Sequence, residues 1–412
     1  MLKKVMSPTT WCGLDIGSQR TKASLISTAS QSPELLGVFE TPTQGFKNSS
    51  VSDLGDLSET VSVVLEGLSR KTGVKIKSVE LGIGGDLIES RLSSAIIPLV
   101  DKGNKVIAPS DVKRVNHQAS LLGLKLEEEI LHDFPQFYRV DDDNLAVNPV
   151  GLFGRKLEVH LLLILSHINR MNNLSKAVHQ AGYDIDQMFF TSLASAQATL
   201  SKKMKQDGCI LIDIGDQSTD ILIFKDGLLK HFDSLRKGGE EITRLLAHEL
   251  NLTFDLAEDL KKSYATLLSA DLDPEEEVLV KKDAAYVPIK RQLICQIVHD
   301  EVESLIQEIH KRILDSQLYD QINDGIMVTG GGCLLSGLIE RLEAVTKLPV
   351  SVGKVTVATH KINNAALFAA CIGLSLLGVN RASPPPQADT NGDTPWPVKF
   401  ANRIKELYQE YF

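Results

Sequence analysis

Two stretches of this chain can be laid over each other at one constant offset. They are Leu14-Asp15-Ile16-Gly17-Ser18-Gln19-Arg20-Thr21-Lys22 and Ile212-Asp213-Ile214-Gly215-Asp216-Gln217-Ser218-Thr219-Asp220. Asp, Ile, Gly, Gln and Thr coincide, and each copy reads as a strand, a tight glycine turn and a second strand. Such a turn points backbone N–H groups into its concavity, which suits phosphate oxygens, and the Asp closing each strand can hold a hydrated divalent cation. A plain hairpin with an Asx-type turn accounts for one copy. Two matched copies point to hairpins that face each other across a bilobed α/β protein and clamp a phosphate chain.

A third element fits the same ligand. Met327-Val328-Thr329-Gly330-Gly331-Gly332 reads as a buried strand with a glycine turn at its end, and Gly238-Gly239 precedes a helix in a weaker version of the pattern. Glycines here allow close backbone approach to a flat or charged group; a glycine-rich helix entry without a ligand has the same letters. A Walker A loop and a G-x-G-x-x-G fingerprint are both absent.

Composition narrows the class. The 412 residues are 43% hydrophobic and 24% charged with a net charge of −9, which excludes a disordered chain and a broad nucleic-acid footprint. Five scattered cysteines form no CxxC pair, the pattern of free thiols in a reducing compartment. The first ten residues lack the apolar run of a secretory signal, and no stretch approaches ~20 uninterrupted apolar residues.

Periodicity predicts strands over 11–17, 21–28, 35–41, 79–83, 93–100 and 157–165, and helices over 57–71, 111–123 (capped by Ser110), 172–182 and 192–205. The segment between 123 and 157, with Pro135 and Pro149, reads as irregular, and Asp141-Asp142-Asp143 as a solvated loop rather than a calcium loop. The repeat then supplies strands over 209–215, 219–224 and 228–234. Helices follow over 240–250, 254–268 and 293–314, with a charged loop at 271–277, then a strand over 326–329 and a last helix over 365–377. Residues 380–397, with Pro384-Pro385-Pro386, read as an extended linker. On a helical projection of 398–412, Phe400, Ile404, Leu407, Tyr408, Tyr411 and Phe412 share one uninterrupted sector, and Trp396 adds an interfacial aromatic. That segment is expected to lie on a lipid surface.

Two phosphate hairpins plus a glycine turn, in this order, resemble the ATP site of the actin, Hsp70 and sugar-kinase superfamily. The segment Ile130-Leu131-His132-Asp133-Phe134-Pro135-Gln136-Phe137-Tyr138, the run from Asn148 to Glu158, Leu193 to Ala196, and Ala257-Glu258 with Lys261 and Tyr264 resemble more specifically the FtsA family of bacterial actin-like cell-division proteins. The resemblance implies an actin/Hsp70-like ATPase fold with an inserted 1C (SHS2-type) subdomain and a C-terminal amphipathic helix. It divides the chain into 1A (9–83, 167–207 and the return 356–379), 1C (84–166), 2A (208–237 and 306–355), 2B (238–305), the linker and the membrane-targeting helix 398–412.

The implied ligands are ATP and Mg2+. Asp15, Gly17, Ser18, Gln19 and Lys22 would form the first phosphate loop and Asp213, Gly215, Asp216, Gln217 and Ser218 the second. Gly238, Gly239, Glu258, Lys261, Gly330, Gly331 and Gly332 would surround the nucleoside, and Asp15 and Asp213 would hold the metal through water. Glu258 and Lys261, three apart on a helix, also read as an ordinary ion pair. The implied partners are the C-terminal tail of FtsZ, other copies of the chain, inner-membrane lipids and further divisome proteins, at the cytoplasmic side of the membrane at the midcell septum. Lys290 and Arg291, with Lys281 and Lys282, form a basic cluster suited to an acidic tail peptide, or simply a solvated face.

Two departures from relatives stand out. Asp216-Gln217 replaces Gly-Gly, and Thr191-Ser192 replaces the Glu-Pro of chaperone and MreB relatives, which removes a group for orienting water and implies at most slow hydrolysis. A pilus-assembly scaffold like PilM and a sugar kinase are the competing readings; a long linker with a terminal amphipathic helix fits neither.

Overall fold

The chain was analysed as a computed structural model, which describes residues 9–382 apart from 31, 86–87, 101–102, 143, 269–272, 283–284, 356 and 360–363. The linker beyond 382 and the segment 398–412, with Trp396, Phe400, Ile404, Leu407, Tyr408, Tyr411 and Phe412, lie outside the described residues.

Strands β1 (Thr10–Ile16) and β2 (Arg20–Ser27) form the first hairpin, with Asp15 opposite Lys22, and β3 (Glu34–Pro42) extends it. Helix α1 (Leu54–Thr72) starts where Asp53 accepts a hydrogen bond from Asp56 N at 2.9 Å and stops at Gly73, whose φ of 71° few other residues adopt. Its stripe of Leu57, Val61, Val64, Leu65 and Leu68 is fully buried. Strand β4 (Ser78–Ile83) then runs parallel to β1.

The insert contains β5 (Ile88–Pro98), α2 (Pro109–Leu122), β6 (Glu128–Val140), β7 (Asn144–Ala146) and β8 (Lys156–His167), in a four-stranded sheet ordered β7-β6-β8-β5. The chain returns through α3 (Ile168–Gln180), β9 (Asp184–Phe190), α4 (Thr191–Thr199) and α5 (Lys202–Asp207). The second hairpin is β10 (Cys209–Ile214) and β11 (Thr219–Lys225), with Asp213 opposite Asp220, followed by β12 (Leu228–Leu235). Next come α6 (Gly239–Glu249), α7 (Phe254–Tyr264), the hairpin β13 (Glu277–Lys282) with β14 (Ala285–Lys290), and α8 (Arg291–Asp315). Strand β15 (Ile326–Thr329), α9 (Leu338–Thr346), β16 (Val350–Val352), β17 (Ala358–Thr359) and α10 (Ala369–Ala382) complete the described chain.

The two lobes share one plan. The first sheet runs β9-β4-β1-β2-β3-β17 and the second β12-β11-β10-β15-β16. In each, the first hairpin strand pairs antiparallel with its partner and parallel with a later strand. Both glycine turns therefore emerge at the same end of their sheets.

Several expectations are corrected. The stretch read as irregular contains β6, thirteen residues long, with Pro135 inside it. A register shift makes this possible: Leu161 faces Pro135 and His160 faces Phe137, leaving Gln136 as the extra residue of a bulge that absorbs the missing N–H. Ser110 does not cap α2; Ala108 precedes the helix, and the Asp111 carboxylate reaches back to Ala108 N at 3.0 Å. Asp141 is more than solvated, because Oδ1 accepts from Arg155 N and Lys156 N at 2.9 and 3.1 Å and closes the turn. The helix expected over 192–205 breaks at Leu200, and Ser201 starts α5 by accepting from Met204 N at 3.2 Å. Strand β9 and the β13–β14 hairpin were not foreseen, and α8 crosses the 2B/2A boundary expected at 305.

The stretch Ala365–Ala382 has a mean hydropathy of 1.6 and is long and apolar enough to cross a membrane, yet 61% of it is buried. It is a core element: α10 lies on β1, β2 and α4. A Cβ at Gly373 would sit 1.7 Å from Ala194 O, and one at Gly13 would sit 2.1 Å from Cys371 O. Backbone contact this close leaves no room for a methyl group. Gly373→Val or Gly13→Val is therefore expected to cost about 3 kcal/mol or more, read as a lowered midpoint in urea unfolding.

Candidate functional site

A cleft of about 810 Å³ separates the two lobes, and both glycine turns open into it. The turns are built alike: Gly17 N donates to Arg20 O at 3.2 Å, and Gly215 N donates to Ser218 O at 2.9 Å. They also touch. Ser18 Oγ donates to Gln217 Oε1 at 2.8 Å, Gln19 Nε2 donates to Glu258 Oε1 at 2.9 Å, and Gln19 Oε1 accepts from Lys262 Nζ at 3.4 Å, so the first turn is bonded three times to the second lobe. Gln217 Nε2 passes the connection to Glu240 at 2.7 Å. The start of α6 is fixed to the second turn by Gly239 N on Gly215 O (3.0 Å) and Glu240 N on Asp216 O (2.8 Å). A Cβ on Gly238 would approach Gly215 O to 2.5 Å, so only glycine permits this contact.

Carboxylates dominate the floor. Asp15 is pushed up to about 6 by burial, with Asp213 adding to the rise and Lys22 opposing it. Burial raises Asp213 as well, although Ser195 Oγ donates to it at 2.7 Å. Asp216 is raised to about 6 by burial and then by Glu240. Asp220, held by the hydroxyls of Ser192 and Ser234, is raised by burial to about 7. Oxygen donors whose ionised form is disfavoured by burial are short of a cation. That donor set fits a hydrated Mg2+, which keeps most of its waters and takes one or two carboxylates. Among the described residues no group of three or more His, Cys, Asp or Glu converges that could hold a metal ion.

The remaining walls come from α7 and the third glycine turn. Glu258 and Lys261 do form the helical ion pair, 2.7 Å apart, and they also line the cleft. Burial alone would raise Glu258, but hydrogen bonds from Lys261, Thr243 and Gln19 outweigh it and bring the group to about 2. Lys261 Nζ also donates to Gly239 O at 2.8 Å. Gly330 has a φ of 84°, and a Cβ there would meet Ile214 O at 2.3 Å, whereas Gly331 faces open space. Gly331–Leu334 forms a 3-10 turn rather than entering the following helix directly.

All the proposed nucleotide-site residues except Gly238 line this cleft, and Gly238 packs directly beneath it. Lys22 donates to Leu367 O at 2.8 Å and so presents its charge beside Asp15 from a fixed position. Arg291 lines the cleft too, donating to Tyr264 O at 3.0 Å and pairing with Glu276 at 2.8 Å, while Lys290 is exposed. Lys282 donates to Leu250 O at 2.6 Å. Of the four basic residues only Lys281 and Lys290 point freely outward. Among the cleft residues that the sequence reading did not single out as ligands, Ser192, Ser195 and Asp220 join the carboxylate floor, and Lys262 pairs with Glu258 at 3.0 Å. Asp220 was visible in the repeat itself, since it stands where the first copy has Lys22.

The raised Asp216 carries a consequence for stability. Above pH 6 the folded chain holds an unfavourable buried charge, and between about 6 and the ordinary 3.8 the folded state binds a proton that the unfolded state does not. Stability contributed by this group therefore increases as pH falls through that window. Asp216→Asn is expected to stabilise the nucleotide-free protein by on the order of 1 kcal/mol at pH 8 and by nothing near pH 4, read by urea unfolding at the two pH values.

Comparison with known proteins agrees with this geometry. A family model described as "Cell division protein FtsA" matches residues 210–373, and one described as "SHS2 domain inserted in FTSA" matches 85–165, the span of the insert. The cell division protein FtsA of Pseudomonas aeruginosa is 27% identical over 377 residues, which covers 90% of this chain and 89% of that one. The Escherichia coli K12 protein of the same name is 25% identical over 351 residues, covering 83% of each. Among solved structures, a chain of the PilM-PilN type IV pilus biogenesis complex superposes with a TM-score of 0.66 at 16% identity, covering 90% of this chain and 98% of that one. MreB5 of Spiroplasma citri bound to ADP superposes with a TM-score of 0.54 at 13% identity, covering 91% and 97%. These likenesses show an actin-like fold, here with an SHS2 insertion. With both models together spanning more than half of its length, the chain belongs to the FtsA family of cell division proteins.

Proposed function

We propose that this chain is a nucleotide-dependent scaffold that polymerises like actin and tethers FtsZ to the cytoplasmic membrane at the division site, where it helps recruit later divisome proteins. The observation that carries the nucleotide part is the direct bond between the two glycine turns, Ser18 to Gln217, over a cleft floored by Asp15 and Asp213. ATP fits as the ligand: backbone N–H groups of both turns face its phosphates, and Gly330, Gly331, Gly332, Glu258 and Lys261 surround its nucleoside. Mg2+ would sit in water shared by Asp15 and Asp213, where it neutralises phosphate charge. Turnover is slow in this reading. Thr191 Oγ1 is bonded to Ile83 O at 3.1 Å and Ser192 to Asp220, and neither is a carboxylate able to take a proton from water. Bound nucleotide then favours the closed, filament-competent form.

The FtsZ tail is assigned to 238–305, with Lys281 and Lys290 as the charges that meet it, because Arg291 is already committed to Glu276 and Tyr264. The segment 398–412 is assigned to the membrane surface, a single copy binding reversibly and the polymer more firmly through multivalency.

Titration of the purified chain with a fluorescent ATP analogue is expected to show Mg2+-dependent binding and steady-state turnover far below the ~10 per second of ordinary enzymes. Replacing Gly215 by Leu should abolish that binding. Removal of residues from Trp396 onward, or the pair Ile404→Asp and Leu407→Asp, is expected to release the chain from anionic liposomes with ATP binding intact. Sedimentation of either variant with vesicles at the level of the intact chain would refute the anchor. In a third assay, Lys281→Glu with Lys290→Glu should weaken binding of an FtsZ tail peptide at low salt; equal affinity would move the peptide site elsewhere.

A further inference from the structure

We infer that the folded body has its own contact face for anionic lipid headgroups, at the end of the first lobe opposite the cleft. This rests on the membrane reading of the tail given above. Strands β1, β4 and β9 open into the cleft at their C-terminal ends, through Ile16, Gly84 and Thr191. Their N-terminal ends lie at the far side of the lobe. Three features meet there.

The described chain ends at that side. Arg381, one residue before the last described position, donates to Glu80 Oε1 at 2.8 Å and to Asp186 O at 3.3 Å, which pins the end of α10 beside the start of β4 and β9. The last described residue, 382, is therefore at this end of the lobe, and residues 383–412 follow it in the sequence.

Helix α1 also ends there. Thr72 lies against Gly37 near the start of β3, and Lys71 Nζ donates to Val38 O at 2.9 Å. The connection into β4 then brings Lys75 and Lys77 alongside, where Asp184 N donates to Lys77 O at 3.0 Å. Arg70, Lys71, Lys75 and Lys77 are all exposed.

The third feature is charge without compensation. Among the described residues Arg70, Lys75 and Lys77 have no ion-pair partner. The carboxylates on this side include Asp184 and Asp186, Glu66 one turn before Arg70 on α1, and Glu34 at the start of β3; Asp186 already accepts from Ser78 Oγ at 2.6 Å and Glu66 from Ser62 Oγ at 3.2 Å. In a chain with a net charge of −9, an unpaired basic cluster around the point where a lipid-seeking tail departs is complementary to an anionic surface. It would fix how the lobe faces the membrane, which a tail on a proline-rich linker cannot do.

The test uses the full chain and three variants: Lys75→Glu with Lys77→Glu, the milder Lys75→Gln with Lys77→Gln, and removal from Trp396 onward. Each is sedimented with phosphatidylcholine vesicles and with vesicles containing phosphatidylglycerol, at low and high salt. The charge reversal is expected to lower apparent affinity for the anionic vesicles by about tenfold or more and to flatten its salt dependence, the Gln pair to do so less, and binding to neutral vesicles to stay as in the intact chain. Unchanged binding of the reversal variant to anionic vesicles at low salt overturns the proposal, as does an equal loss on both vesicle types. The truncated chain is judged separately: if it sediments as the intact chain does, the tail reading fails whatever the lysines do.

Discussion

Much of this molecule is arranged around the approach of two half-buried carboxylates, Asp15 and Asp213, each at the end of a central strand of its own sheet. Burying one ionised carboxylate is costly, and burying two near each other is more so. The fold tolerates the arrangement because it places Lys22 beside them and a Ser195 hydroxyl on Asp213. Elsewhere the two lobes bury apolar strands behind this floor: Ile210, Leu211 and Ile212 in one, Leu14 and Ala23 in the other, all fully enclosed. Hydrophobic burial holds the sheets rigid, and the rigid sheets hold the acids. The cleft is thus the place where the fold concentrates unfavourable electrostatics.

The internal symmetry is also what made the sequence readable. A repeated Asp-Ile-Gly turn fixes two hairpins, their facing relation and most of the cleft residues, because backbone geometry leaves few alternatives for that pattern. Helix α1 was legible for the same kind of reason, its apolar stripe being regular, although a start at 57 misses the first turn that Asp53 caps. What escaped was set by tertiary contact. The strand around Pro135 exists because two neighbours supply pairing and a bulge absorbs the proline, and nothing local signals this. Strand β9 begins Asp184-Ile185-Asp186, polar enough to pass for a loop, and owes its shape to β4. The roles of Ser192 and Ser195 depend on α4 lying against the second hairpin, β10 and β11. Arg291 reads as one more surface cation in the sequence and is in fact tied down by its helix start and Glu276.

Asymmetry between the two copies is as informative as their likeness. Where the first hairpin has Lys22 facing the floor, the second has Asp220, and where the first has Ser18, the second has Asp216. Of the two hairpins, the second therefore contributes most of the negative charge and the first the lysine beside the floor, while Lys261 on α7 supplies the second lobe with a cation of its own.

The bulge at Gln136 has a mechanical meaning. Its side chain donates to Leu229 O at 2.9 Å, Ser90 Oγ donates to Phe232 O at 3.0 Å, and the rings of Phe190 and Phe232 meet edge to face at 4.8 Å. The insert is thus bonded to the second lobe by Gln136 and Ser90 and to the first by His132, whose Nε2 accepts from Phe190 N at 3.0 Å. A relative movement of the two lobes would strain one set of these bonds, so a partner that clamped the insert would also stiffen the lobes against each other.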